Sequence, residues 1–194
     1  MRRWETWWKR YAPEDFPRRT TGTIDSPMRP VIVTEAEKTG GTVLDVGCAT
    51  CIDYGLFKRT EVDYMGVDIT EKFLNYAVHQ YPEIEVCLGS ILSLPFTDAS
   101  FNTVYEKSVV EHVHPAEWGK AVSEMWRVAG EKAMFAFYLP PWDKAAEYFQ
   151  HEEGFWRNRL NRAEFVDALQ SLERFESLSV EAVGTQRLYV VNKG

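Results

Sequence analysis

The sequence has few cysteines and no long hydrophobic run. Its three cysteines, Cys48, Cys51 and Cys87, are an odd number among 194 residues, which argues against a disulfide framework. The longest apolar stretch, residues 133–142, is about half as long as a membrane-spanning helix. A basic-then-apolar leader is also missing at the start of the sequence. We therefore predict a cytoplasmic protein without a signal peptide or a membrane span.

The sequence also lacks a second pair of metal ligands and an excess of positive charge. Cys48 and Cys51 form a lone C-x-x-C pair, whereas a structural zinc site needs four ligands. We expect these residues to be small side chains in a tight loop, and we expect no metal. A net charge of −7 argues against non-specific nucleic-acid binding. With 45% hydrophobic residues, the composition is that of a globular protein, which we interpret as a single domain over residues 1–194.

Basic and aromatic residues are concentrated at the N-terminus. Residues 1–30 hold seven Lys/Arg and four acids. Trp4, Trp7, Trp8 and Tyr11 follow the spacing of one helical face, which predicts an amphipathic helix. This segment, residues 1–40, could pack on the body, close as a lid over a ligand site, or act as a basic arm for an anionic substrate. The prolines that follow predict loop structure. They are Pro13, Pro17, Pro27 and Pro30.

The middle of the chain alternates between strand and helix patterns. Apolar runs predict strands at 42–46, 62–67, 84–88, 101–105 and 132–139, and helical spacing appears at 53–60, 71–80 and 115–128. The end differs, because 175–182 and 186–192 are two strand patterns joined by a turn at Gly184. We therefore predict an α/β fold with a doubly wound, mostly parallel sheet of seven strands closed by a C-terminal antiparallel hairpin. The segments would be a core at 42–139, a substrate-side insert and helix at 140–172, and the hairpin at 173–194.

The loop after the first predicted strand has the features of a ligand site. Ligands of doubly wound sheets bind at the carboxyl ends of the strands, near the switch point. Small residues at 47, 49 and 51 would let the backbone approach a ligand, and Asp68 ends the next strand, where a carboxylate can accept both ribose hydroxyls. A dinucleotide fold needs a third glycine where this chain has Ile52, which disfavours a nicotinamide-dependent oxidoreductase.

Further motifs follow that loop in order. They are Asp45-x-Gly47-x-Ala49-x-Cys51, Gly66-Val67-Asp68-Ile69, Gly89-Ser90-Ile91, Leu94-Pro95-Phe96 with Phe101-x-x-Val104, and Glu111-His112-Val113. Together they resemble the class I S-adenosylmethionine-dependent methyltransferases, in particular the small single-domain group with an L-P-F…F-D-x-V signature. The resemblance implies a Rossmann-like sheet and runs from about Thr42 to the C-terminus. Ala49 and Cys51 stand where the family loop usually has glycine, and Ser90 stands where it usually has Asp.

The resemblance implies roles for individual residues. Asp45 and the loop residues Gly47, Cys48, Ala49 and Cys51 would lie along the methionine part of S-adenosylmethionine. Asp68 would bind the ribose, Ile69 would pack on the adenine, and Ser90 and Ile91 would face the adenine edge. Glu106 would line the methionine amino group and the reactive methyl.

Catalytic and substrate residues are less defined by the motifs. Methyl transfer needs alignment, and it needs a general base only when the acceptor must lose a proton. Candidates are Tyr105, Glu106 and His112, with Glu111 and His114 nearby. The aromatic residues Trp7, Tyr11, Tyr138 and Trp142 are candidate substrate contacts, which favours a small-molecule acceptor. An RNA or protein acceptor and a non-catalytic cofactor-binding module are the alternatives.

Overall fold

The elements of the chain alternate between strand and helix through most of its length. The computed structural model describes residues 8–10, 12–14, 26–151 and 154–194. The strands in these ranges are β1 (Thr42–Val46), β2 (Asp63–Asp68), β3 (Glu85–Leu88), β4 (Phe101–Lys107), β5 (Ala129–Phe137), β6 (Glu147–Gln150), β7 (Trp156–Arg159), β8 (Phe175–Val183) and β9 (Gln186–Lys193). The α-helices are α1 (Met28–Thr39), α2 (Tyr54–Phe57), α3 (Glu71–Gln80), α4 (Trp118–Val128) and α5 (Arg162–Gln170), with short 3₁₀ turns at Trp8–Arg10 and Val110–His112.

The main sheet has seven strands in the order β3-β2-β1-β4-β5-β9-β8. Strands β1 to β5 pair in parallel, whereas β9 runs antiparallel to both β5 and β8. The predicted mostly parallel sheet with a closing hairpin is thereby confirmed. The strand order reverses between β1 and β4, so their carboxyl ends form the switch point at which ligands bind in such sheets.

Helices cover both faces of this sheet. On one face, α4 buries Ala121, Val122, Met125 and Trp126, which follow the spacing of one helical side. On the other face, α1 buries Met28, Ile32 and Ala36, each four residues from the next. Two hydrophobic clusters result, one on each side of the sheet. They hold the carboxyl ends of β1, β2 and β4 in register, with Val46 paired to both Val67 and Glu106.

Helix α1 contradicts the prediction that prolines make this region a loop. Pro27 is the N-cap residue and Pro30 lies in the first turn. The backbone N–H groups of a first turn have no partner inside the helix, so proline loses nothing there and its fixed φ favours the helical start. The pattern at Pro27 and Pro30 is therefore a helix start and not a helix break.

Other elements differ from the sequence prediction in extent. The helix predicted at 53–60 is shortened to Tyr54–Phe57, and β4 continues past Tyr105 to Lys107. Residues 140–172 contain the antiparallel hairpin β6–β7 in addition to the expected helix. Of the predicted N-terminal helix, Trp8 begins a 3₁₀ turn, and Trp4, Trp7 and Tyr11 lie outside the described residues. Within the described ranges, every helix is too short or too polar to cross a membrane.

Candidate functional site

A cavity of about 350 Å³ opens at the carboxyl ends of β1, β2 and β4. One half is lined by residues that follow β1, β2 and β3, and these include Asp45, Gly47, Cys48, Ala49, Asp68, Ile69, Ser90 and Ile91. We call this the cofactor half. The other half is lined by Trp8, Lys107, Glu111, His112, Tyr138 and Arg157, and we call it the acceptor half. The structure thus brings together most of the residues that the sequence assigned to a cofactor.

The loop after β1 makes the floor of the cofactor half. Gly47 has φ of 76°, and a Cβ atom there would lie 2.5 Å from Cγ2 of Val109. Only glycine therefore fits between this loop and the segment after β4. The Gly47 and Cys48 amides donate to the Val67 carbonyl at 2.7 and 3.1 Å, which ties the loop to β2. The backbone can therefore lie directly against a ligand.

Two residues of this loop hold the left-handed backbone conformation without being glycine. Ala49 has φ of 49° and Cys51 has φ of 53°. These are the positions at which the sequence departs from the glycine-rich family loop, and each costs about 1–2 kcal/mol relative to a glycine. The loop shape is retained despite the side chains. The thiols of Cys48 and Cys51 are free and pack against Gly66, and Cys51 lies beneath the loop, away from the cavity lining.

Asp68 holds the loop and faces the cavity. Its Oδ2 accepts the Ala49 amide at 2.9 Å and its Oδ1 accepts the Thr70 amide at 2.8 Å. Each carboxylate oxygen has a further lone pair for a ligand. Burial raises the pKa of Asp68, and the two amide bonds oppose that rise. The carboxylate is therefore oriented before any ligand arrives.

A buried polar network lies under the same loop. The Tyr64 hydroxyl donates to Asp45 at 2.7 Å, and burial raises the pKa of Asp45 to about 6 despite that bond. Arg29 of α1 forms an ion pair with Asp53, which also accepts a hydrogen bond from Tyr105 at 3.2 Å. The hydroxyl of Tyr105 thus belongs to this network and not to the cavity lining. The network anchors α1 to the loop that carries the cofactor half.

Glu106 lies below the cavity and not in its lining. Its Oε2 accepts the amides of Val109 and Val110 at 2.6 and 3.3 Å, so this side chain shapes the turn after β4. Ser108 in that turn has φ of 60°. Burial raises the pKa of Glu106 to about 8. The structure gives Glu106 a positioning contact, whereas the sequence suggested a place beside the reactive methyl.

His112 lies in the acceptor half with one ring nitrogen directed at the backbone. Nδ1 is 2.7 Å from the carbonyl oxygen of Trp156. A carbonyl oxygen only accepts, so Nδ1 carries the hydrogen and Nε2 of the neutral ring is an acceptor. The Trp8 ring meets the imidazole edge at a centroid distance of 5.2 Å. Nε2 lies 3.8 Å from Oε1 of Glu111, and His112 lines the acceptor half.

Two predicted substrate residues have different surroundings. Tyr138 lines the cavity and is 52% exposed, which leaves its ring available to a ligand. Trp142 lies outside the cavity lining: its indole N–H donates to Ala145, and Arg159 stacks on its ring at 4.3 Å. Trp142 therefore stabilises the β6–β7 region. Trp7 and Tyr11 are outside the described residues.

Three basic residues of the cavity were not among the predicted site residues. Arg29, Lys107 and Arg157 all line it, from α1, the end of β4 and β7. None belongs to one of the motifs. Lys107 follows the strand that was predicted to end at Tyr105. Its position at the carboxyl end of a parallel strand, where ligands bind, could have indicated a site residue.

Comparisons with known proteins agree with this geometry. Residues 43–132 match the family model described as a methyltransferase domain. A Mycolicibacterium smegmatis protein named "probable S-adenosylmethionine-dependent methyltransferase" is 29% identical over 103 residues, which are 52% of this chain. The chain spans 38% of that relative's length.

Solved structures with this fold cover nearly the whole chain. The Burkholderia thailandensis 1,6-didemethyltoxoflavin-N1-methyltransferase is 15% identical, with a TM-score of 0.71 over 93% of this chain and 86% of its own. The amino pentose methyltransferase CalS10 of Micromonospora echinaspora is also 15% identical, with a TM-score of 0.71 over 95% of this chain and 98% of its own. At this identity the likeness concerns the fold. Together with the methyltransferase-domain match over residues 43–132 and the ordered motifs, it makes the chain similar to the class I S-adenosylmethionine-dependent methyltransferases.

Proposed function

We propose that this chain transfers a methyl group from S-adenosylmethionine to a small-molecule acceptor. The observation that carries the proposal is the geometry of the cofactor half. Two backbone amides fix the Asp68 carboxylate there, and the adjacent loop has room only for glycine at position 47. An oriented carboxylate at this strand end suits the two hydroxyls of a ribose. Ile69, Ser90 and Ile91 supply the adjoining surface for a purine.

The residues of the chain would act mainly by aligning the acceptor atom with the methyl group of the cofactor. Bound S-adenosylmethionine supplies an electrophilic methyl carbon on a sulfonium, which an acceptor atom displaces directly. Holding the acceptor in line accounts for most of the rate in such a step. Where the acceptor must lose a proton, Nε2 of His112 is the group in the acceptor half that can receive it. Glu106 and Tyr105 support the site from below.

A small molecule suits the acceptor half better than a polymer. Trp8, His112 and Tyr138 border it with rings, and concave sites with aromatic walls are typical of small ligands. The two similar structures described above are named for methylation of small molecules, 1,6-didemethyltoxoflavin and an amino pentose. An RNA or a protein acceptor remains the second candidate. Free thiols at Cys48, Cys51 and Cys87 agree with a cytoplasmic site of action, which we also propose.

S-adenosylhomocysteine is expected to raise the melting temperature by about 5–10 °C at a hundredfold excess over its Kd. Such binding adds about 2.7 kcal/mol to the free energy of unfolding, and one kcal/mol is about 2–4 °C at this chain length. NAD should give no shift, because Ile52 lines the cavity where a dinucleotide turn needs glycine. Differential scanning calorimetry with both ligands checks this, and a shift with NAD alone would contradict it.

Turnover separates an enzyme from a binding module. The purified chain is incubated with S-adenosylmethionine carrying a labelled methyl and a whole-cell extract, and the products are separated into small molecules, RNA and protein. Label in a small product, lost when Gly47→Ala replaces the native chain, supports the proposal. Label only in RNA or protein would favour the second candidate. Cofactor binding without any labelled product would point to a non-catalytic module.

A further inference from the structure

The acceptor half contains two cations without nearby counterions. Lys107 is the last residue of β4 and lines the cavity, as does Arg157 of β7. Within the described ranges, no carboxylate lies within 4 Å of the Lys107 amine or the Arg157 guanidinium. The whole chain carries a net charge of −7. The positive charge of these two residues at one cavity therefore differs in sign from the net charge of the protein.

Glu111 is a buried carboxylate in the lining of the acceptor half, and it is already engaged. Glu111 is 3% exposed, and its Oε2 accepts the Leu139 amide at 3.1 Å. Glu111, Glu106 and Asp45 act on Lys107 through space, and none of them is within ion-pair distance of its amine. Burial, together with the nearby Arg29 guanidinium, lowers the pKa of Lys107 to about 8. A half-buried ammonium of this kind is costly unless a ligand supplies a negative charge.

The walls around the Lys107 amine indicate the rest of the ligand. The Trp8 ring meets the His112 ring at an interplanar angle of 70°, and Tyr138 presents a half-exposed ring to the same space. Rings at such positions bind flat apolar groups through their faces and edges. These rings border only the acceptor half of the cavity, and the cofactor half adjoins it, which favours a small ring system as the acceptor.

We propose that the methyl acceptor is a small aromatic molecule with a carboxylate, and that Lys107 pairs with this carboxylate while Arg157 adds positive charge at the same cavity. The inference rests on the proposed function and names its substrate class. Lys107 is thereby a specificity-determining residue. A charge-assisted hydrogen bond to a carboxylate contributes about 1.5–3 kcal/mol, which is about ten- to hundredfold in Kd.

Benzoate and benzamide test this directly, because they share a shape and differ in charge. Their dissociation constants are measured at pH 7 by ligand-observed NMR with the protein saturated with S-adenosylhomocysteine. We expect benzoate to bind the native chain at least tenfold more tightly than benzamide. Lys107→Met should bring the two within about twofold, whereas Lys107→Arg and the exposed control Lys120→Met should keep the preference.

The outcomes separate this inference from the proposed function. S-adenosylhomocysteine affinity is measured by calorimetry for each variant, which also shows that the variant is folded. Equal affinities of the native chain for benzoate and benzamide, or binding of neither, would overturn the acceptor class while leaving the cofactor proposal intact. If Lys107→Met weakens S-adenosylhomocysteine but not methylthioadenosine, Lys107 binds the cofactor carboxylate and the inference is wrong. A native chain that does not bind S-adenosylhomocysteine contradicts the proposed function instead.

Discussion

Replacing Asp68 with alanine is expected to weaken S-adenosylhomocysteine binding by about ten- to hundredfold. The substitution removes charge-assisted hydrogen bonds to the ribose, which contribute roughly 1.5–3 kcal/mol. It also leaves the Ala49 and Thr70 amides without their acceptor, so the loop after β1 loses its attachment to β2 on that side. Isothermal titration calorimetry of native and variant chains checks the expected loss.

Asp63→Ala is the matched control for this experiment. Asp63 begins the strand that Asp68 ends, and it is exposed at the opposite edge of the sheet. We expect its affinity for S-adenosylhomocysteine to equal that of the native chain within about twofold. Asp68→Asn, which keeps an acceptor oxygen, should lie between the native chain and Asp68→Ala. Native affinity in Asp68→Ala, with the fold intact by circular dichroism, would remove Asp68 from the cofactor site.

The sheet and the cofactor half were predictable because their signals are local. Strands β1, β2 and β4 are short apolar runs, and parallel strands with helices between them leave few possible topologies. Asp68 follows directly from its place at the end of β2. The loop shape is less obvious, because Ala49 and Cys51 take the left-handed conformation that a sequence pattern assigns to glycine.

The misplaced residues depend on contacts that no local pattern encodes. The family resemblance placed Glu106, just past the predicted fourth strand, at the reactive methyl, but its carboxylate turns under the chain to accept the Val109 and Val110 amides. Lys107 and Arg157 belong to none of the motifs and lie 50 residues apart in the sequence, and only the fold brings them to one cavity. The hairpin β6–β7 is short and mostly exposed, so it lacks the alternation that marks a half-buried strand.

The pKa of Glu106 makes the stability of the fold depend on pH. Burial raises this pKa from 4.5 to about 8, since Glu106 is fully buried and its Oε1 has no hydrogen-bond partner in the described part of the chain. The folded chain therefore holds this proton more tightly than the unfolded chain does. Its contribution to stability is complete below about pH 4.5 and is lost as the pH rises through about 8.

Glu106→Gln should remove that dependence and stabilise the chain in alkaline solution. Glutamine keeps an oxygen that can accept the Val109 and Val110 amides and carries no charge at any pH. At pH 9 we expect the variant to exceed the native free energy of unfolding by on the order of 2–4 kcal/mol, whereas at pH 5 the two should differ little. Urea unfolding at pH 5, 7 and 9 measures this, with exposed Glu85→Gln as the control that should track the native profile. If the free energy of unfolding varies with pH in the same way for the native and Glu106→Gln chains, Glu106 is already ionised in the folded chain. The Val109 and Val110 amides would then donate to a buried carboxylate rather than to a neutral carboxyl.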